Sequence, residues 1–89
     1  MRWFRRSTTR EVTLYGKEGC HLCEDAEGIV RRLERRYPIH LVKIDITSDP
    51  ALYRAYDVRI PVISVDGGAE LEAPIDERAL RRALSRTRK

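Results

Sequence analysis

The cysteine pair in Gly19-Cys20-His21-Leu22-Cys23 constrains this chain most, because of where it stands. Before it, Val12-Thr13-Leu14-Tyr15 is β-branched and aromatic and closes at Gly16, which reads as a strand. After it, Leu22, Ala26, Ile29, Val30, Leu33 and Tyr37 recur at helical spacing. The pattern predicts a helix from near His21 to Tyr37, with Cys20 at its first turn and Cys23 one turn further in. Free N–H groups and a partial positive charge at a helix N-terminus favour thiolate over thiol. Cys20 is therefore expected to be acidified and nucleophilic.

The rest of the chain alternates in the same way. A first strand is expected over about Glu11–Tyr15, and Gly16-Lys17-Glu18-Gly19 is a turn delivering the chain to Cys20. In the first helix Glu24, Asp25 and Glu27 come early and Arg31, Arg32, Arg35 and Arg36 late, which complements the macrodipole. Pro38 stops it, and Ile39–Ile46 reads as a second strand whose terminal Asp45 faces a solvated loop. Asp49 caps a short helix with Pro50 at its first position, ending near Tyr56. Tyr53 and Tyr56 read as packing rings. Pro61–Val65 is an apolar third strand, Asp66-Gly67-Gly68 a hairpin turn, and Ala69–Ala73 a fourth strand. Asp76 caps a last helix reaching about Arg86, with Ile75 and Leu80 spaced as a hydrophobic staple. This order implies an α/β domain over residues 11–89, a mixed sheet with helices on its faces, preceded by a basic N-terminal extension at residues 1–10. Trp3 and Phe4 in that extension are candidates to cover an edge of the core.

Composition bounds the function. The chain has 89 residues, one small domain with a modest core. No apolar run is long enough to span a bilayer, and Met1-Arg2-Trp3-Phe4-Arg5-Arg6 lacks the apolar centre of a signal peptide. A soluble cytoplasmic protein without membrane partners is expected. Both cysteines lie in one motif, so no disulfide framework staples the fold. The net charge is +4. Much of the excess lies in Arg2, Arg5, Arg6 and Arg10 and in Arg86, Arg88 and Lys89, which read as solvated termini. No basic stripe interleaved with aromatics is visible, so nucleic acid is not an expected partner.

The stretch Tyr15 to Glu24, then Val58-Arg59-Ile60-Pro61-Val62, then Val65-Asp66-Gly67, resembles the glutaredoxin-like branch of the thioredoxin superfamily, in particular small bacterial glutaredoxin-like proteins with a Cys-His-Leu-Cys site. The resemblance covers Val12 to the end. It implies a thioredoxin-like fold, a four-stranded mixed sheet of order 2-1-3-4 flanked by three helices. It implies Cys20 as the exposed attacking cysteine, Cys23 as the shielded resolving one, and Ile60-Pro61 as a cis peptide facing them. Lys17, His21, Leu22, Ile60 and Pro61 would contact substrate, and an extended substrate segment would pair with the backbone beside the thiols. The pattern departs from glutathione-binding glutaredoxins in two places. Arg59-Ile60-Pro61 stands where those carry Thr-Val-Pro, and Ala73-Pro74-Ile75-Asp76 stands where they carry a Gly-Gly pair before the last helix. No tightly bound cofactor is expected, and glutathione enters at most as a reductant. Thioredoxin's buried aspartate falls near Leu14.

The expected activity is that of an enzyme, a thiol–disulfide oxidoreductase working through a Cys20–Cys23 redox couple. Residues i and i+3 at a helix start lie close enough to close the small ring this requires. The partners would be a disulfide-containing protein or small thiol substrate and a cellular reductant. Other readings stand beside it: a peptide-holding module on the same fold, a pair of inert buried thiols, or half a zinc site completed by His21 and His40. No metal ligand set is expected, since a second Cys-x-x-Cys is missing. Glu24 is weighed as a proton relay for Cys23 against a solvated helix face, and Arg59 as a contact for an acidic substrate against a plain surface arginine.

Overall fold

Residues 9–86 are described by the computed structural model of the chain. The central strand, β1 (Arg10–Gly16), pairs in parallel with β2 (Ile39–Asp45) and antiparallel with β3 (Val62–Val65). β4 (Glu70–Glu72) lies outside β3, giving the order β2-β1-β3-β4. Parallel neighbours need a long crossover, which α1 (His21–Leu33) supplies. α2 (Pro50–Tyr56) joins β2 to β3, and α3 (Glu77–Ser85) closes the chain. This is the four-stranded mixed sheet with three helices that the sequence implies.

Alternation along β1 sends Val12 and Leu14 to one face, where they meet Ala26, Val30 and Leu33 of α1, Ile63 of β3, and Leu80 and Leu84 of α3. Ile39, Leu41, Val65, Leu71 and Ile75 pack around this core half-buried. Ile75 and Leu80 flank the Asp76 cap, whose carboxylate accepts from the Arg78 N–H at 3.0 Å. On the opposite face Tyr15 stacks on Tyr56 of α2, ring centroids 4.4 Å apart. The N-cap of α2 is Asp49, accepting from the Ala51 N–H, with Pro50 first in the helix.

Several boundaries differ from expectation, each for a local reason. α1 ends at Leu33 instead of Tyr37. Arg35 and Arg36 N–H groups turn to carbonyls three residues back, at Arg32 and Leu33, so the last turn tightens before Pro38. Tyr37 still packs on the core, so the periodicity holds for its side chain and fails for its backbone. β3 starts at Val62, because Pro61 has no N–H to give a ladder. A short 3₁₀ turn, Ile46–Ser48, follows β2, capped by Asp45 through the Thr47 N–H at 2.9 Å and hydroxyl at 2.7 Å. Asp45 is exposed as read, but it has this capping task. Arg10, assigned to the extension, is the first residue of β1, while Trp3 and Phe4 lie outside the described residues.

The hairpin tip is tied to β1. Asp66 and Gly67 take φ of 54° and 71°, the left-handed pair a tight hairpin requires. The Asp66 carboxylate accepts from the Arg10 guanidinium at 2.8 Å and the Glu11 N–H at 2.9 Å, and its own N–H donates to the Glu11 carbonyl at 2.7 Å. No described helix is long and apolar enough to cross a membrane.

Leu80 is fully buried between helix and sheet. Leu80→Ala should lower unfolding stability by about 2–5 kcal/mol, read from the midpoint of a urea titration at unchanged slope.

Candidate functional site

The turn from β1 to α1 puts both sulfurs at the end of the sheet. Gly19 takes φ +78°, open only to residues that tolerate the left-handed region, and the Cys20 N–H closes the turn on the Lys17 carbonyl at 3.3 Å. Cys20 is the N-cap of α1, one position earlier than the first helical turn, and its sulfur accepts the Cys23 N–H at 3.1 Å. It fills the role a serine or aspartate side chain usually fills. A disulfide joins Cys20 to Cys23, with Cα atoms 5.2 Å apart, within the range such a bond spans. The two sulfurs are unequal in access: Cys20 is half-buried, whereas Cys23 is only 7% exposed.

Gly16 explains that burial. A Cβ on Gly16 would stand 2.9 Å from the Cys23 sulfur and 3.1 Å from its Cβ. The residue read as a turn glycine therefore serves close approach of sheet to helix, and nothing in the turn pattern signals it. The Ile60–Pro61 and Ala73–Pro74 peptide bonds are both cis. Val62 pairs in register with Tyr15, so Ile60-Pro61 enters the sheet at the end of β1 from which Gly16 leads to Cys20. Pro61 is buried and Ile60 half-buried.

The family described as Glutaredoxin-like domain (DUF836) matches residues 11–85. The chain belongs to this glutaredoxin-like family. Its fold is similar to that of protein XcR50 from X. campestris, at 34% identity over 82% of this chain and 93% of that one, TM-score 0.70. Protein Ne2328 from Nitrosomonas europaea shares 30% identity over 93% of this chain and 100% of its own, TM-score 0.78. A mutant thioredoxin from Halobacterium salinarum NRC-1 shares 28% identity, covering 84% and 71% of the two chains, TM-score 0.66. Among functionally curated proteins, none matches the chain.

Around the cysteines of this glutaredoxin-like protein, the residues expected to touch substrate differ in their settings. Leu22 stands 53% exposed one position before Cys23. His21 is solvated, its Nε2 3.9 Å from the Asp25 carboxylate. Lys17 lies over the Tyr53 ring, 5.9 Å from its centroid. His40 pairs in register with Glu11, at the other end of β1 from the cysteines, and does not join His21 in a zinc site. No group of metal-ligating side chains forms among the described residues. Gly67 and Gly68 occupy the hairpin tip, away from the segment before α3 where a glutathione-binding pair would stand.

Two features went unread in the sequence. A cavity of about 420 Å³ opens beside Cys23, its wall including Gly16, Lys17, Glu24, Glu27, Lys43 and Asp45. Glu24, weighed as a proton relay, thus shares a cavity with Cys23. Lys43 meets the Glu27 carboxylate at 2.9 Å and, with Arg31, holds it below its ordinary pKa. The second feature is a clamp on the proline loop. Arg59 bridges Glu70 at 2.7 Å and Glu72 at 2.8 Å and lies over the Tyr56 ring, 5.0 Å from its centroid. Its charge is engaged by these two carboxylates, which weighs against the acidic-substrate alternative and makes it more than a plain surface arginine. Tyr56 donates to Glu70 at 2.6 Å, and this bond pushes the phenol up to about 12. The same bond, then Arg59, lowers the Glu70 carboxylate.

Gly16→Ala forces a methyl group against the buried Cys23 sulfur, and should cost about 1–3 kcal/mol in urea unfolding. The clamp predicts a two-sided pH profile. A lowered carboxylate stabilises above its unfolded pKa, here 4.5, and that contribution is lost as pH falls through the folded value. A raised phenol stabilises below its unfolded pKa of 10.0, and that contribution is lost as pH rises toward about 12. Glu70→Gln should flatten both limbs of a plot of urea midpoint against pH.

Proposed function

We propose that this chain is a dithiol thiol–disulfide oxidoreductase in which Cys20 attacks and Cys23 resolves. One observation carries the reading: a cysteine pair at a helix N-terminus, closed as a disulfide, with one sulfur at the rim and the other packed behind it. A module that only held peptides would have no use for that asymmetry.

The reduced Cys20 sulfur sits at the N-cap, where backbone N–H groups and the helix dipole favour its thiolate. The thiolate attacks one sulfur of a partner disulfide. A Cys20–partner S–S bond forms, the partner's own S–S bond breaks, and its other sulfur leaves as a thiolate. Cys23 then gives up its proton to solvent and attacks the Cys20 sulfur. The Cys20–Cys23 bond forms and the partner's second sulfur departs, so the partner gains two electrons and the cysteine pair loses two. An external dithiol, or two monothiols, reverses the sequence and resets the site. Disulfide-bearing proteins or small disulfides fit as substrates. Glutathione fits as a reductant only, since the Gly-Gly pair that would hold it stands at the hairpin instead of before α3. A reducing compartment such as the cytoplasm suits a pair that must be recycled.

Cys23→Ser, given a disulfide substrate, should accumulate a mixed disulfide on Cys20, visible as a mass adduct that a reductant removes. Cys20→Ser should lose turnover altogether. An adduct forming on Cys23 of the Cys20→Ser protein at the same rate would reverse the assignment of roles.

A further inference from the structure

Positive charge is neutralised very unevenly in this molecule. Arg10, Arg31, Arg32, Lys43 and Arg59 each meet a carboxylate at 2.7–3.2 Å. Arg35, Arg36, Arg78, Arg81, Arg82 and Arg86 form no ion pair with any described residue. Residues 1–8 and 87–89 contain no aspartate or glutamate, so no side-chain carboxylate remains outside the described part to meet them. These arginines are also gathered. Arg78, Arg81 and Arg82 of α3, with Tyr37 and Ser85, line a groove of about 280 Å³ whose wall holds no carboxylate. Arg35 and Arg36 immediately precede Tyr37, and Arg86 is the C-cap of α3.

Such an arrangement works against the fold. Arg78 and Arg82, like Arg82 and Arg86, stand four residues apart, a spacing at which like charges on a helix surface repel. A local conflict of this kind, with no compensating contact inside the protein, marks a surface built for something outside it. The groove is separate from the redox site. Tyr37 follows the far end of the 13-residue α1, about 20 Å along the helix from Cys20 at 1.5 Å per residue.

We propose that this arginine groove docks an acidic segment of a partner protein, a short run rich in aspartate and glutamate. Guanidinium forks bind carboxylates through paired, charge-assisted hydrogen bonds. Protein is favoured over nucleic acid by the charge elsewhere on the molecule. The cavity beside Cys23 is walled by Glu18, Glu24, Glu27 and Asp45 against Lys17 and Lys43, and Asp25 follows Glu24 on α1. A nucleic-acid strand is negative along its whole length and would be repelled wherever it left the arginine face for that end. A protein segment keeps its carboxylates in one place.

The test is fluorescence anisotropy with the full chain and a labelled synthetic peptide of alternating glutamate and glycine. The peptide should bind, and bind more weakly as salt rises. The triple variant Arg78→Gln, Arg81→Gln, Arg82→Gln should bind about tenfold more weakly or worse, with an unchanged or higher melting temperature, since a repulsion is removed. Arg81→Glu alone provides a second readout with a smaller change to the surface, and should also weaken binding. A variant with Arg2, Arg5 and Arg6 all changed to Gln should bind as the parent does. Cys20→Ser should bind the peptide fully, which separates this docking from the exchange chemistry. The proposal is overturned if the parent does not bind, if the triple variant binds equally well, if the N-terminal variant loses binding, or if a single-stranded DNA oligomer of the same charge binds more tightly than the peptide.

Discussion

Everything at the redox end depends on the backbone of Gly16 lying directly against the sulfur of Cys23. With no Cβ in the way, α1 can begin close to the end of β1 and still bury its first inward residue. Helical geometry then decides the rest. Three residues before Cys23 is the N-cap, and an N-cap lies at the rim of a helix with its side chain turned back on the first free N–H groups. Cys20 therefore occupies the one position that is both reachable and rich in donors. Two chemically identical side chains acquire different tasks from one turn of helix and one missing methyl group.

The adjoining proline loop is held by charge and ring stacking. Tyr15, the residue before Gly16, stacks on Tyr56, which lies under Arg59, which spans Glu70 and Glu72 of β4. The Arg59 and Ile60 N–H groups both return to the Tyr56 carbonyl, at 2.8 and 3.1 Å. Each ion pair is partly exposed and weak by itself. Together they share one guanidinium, so the entropy of ordering Arg59 is met once for several contacts. The clamp links β1, α2 and β4 around the segment that enters β3.

How much of this was readable beforehand follows from the range of each interaction. Element order, the Asp49 and Asp76 caps and the hairpin at Asp66-Gly67 were legible because they rest on residues near one another in the chain. The end of α1 was misplaced because Tyr37 satisfies the helical spacing with its side chain while its backbone is already in a turn. The Gly16 contact was invisible because a glycine closing a strand looks the same whether it turns the chain or admits a neighbour. The clamp made by Arg59 was not legible because its partners, Glu70 and Glu72, come from a strand that only the β3–β4 pairing brings beside it. The cysteines themselves were legible in position and spacing, but their difference in burial is a property of packing.

The same distinction governs the charge. A net value of +4 belongs to the whole chain and can be assigned to its ends on inspection, as Arg2, Arg5, Arg6, Arg88 and Lys89 invite. Folding changes that assignment. It carries the carboxylates of Glu27, Asp66, Glu70, Glu72 and Glu77 to Lys43 and to arginines elsewhere in the chain. Among the described residues, Arg78, Arg81 and Arg82 of α3 and Arg35 and Arg36 after α1 are left without a carboxylate partner. On an isolated helix, Glu77 would balance part of the charge of Arg78, Arg81 and Arg82. In the folded protein Glu77 is drawn to Arg32 at 3.0 Å, and the balance is removed from the groove that Tyr37 and Ser85 complete. The molecule thus has an acidic, thiol-bearing end and a basic end set apart along α1. A partner that touched both would have to carry the complementary polarity itself.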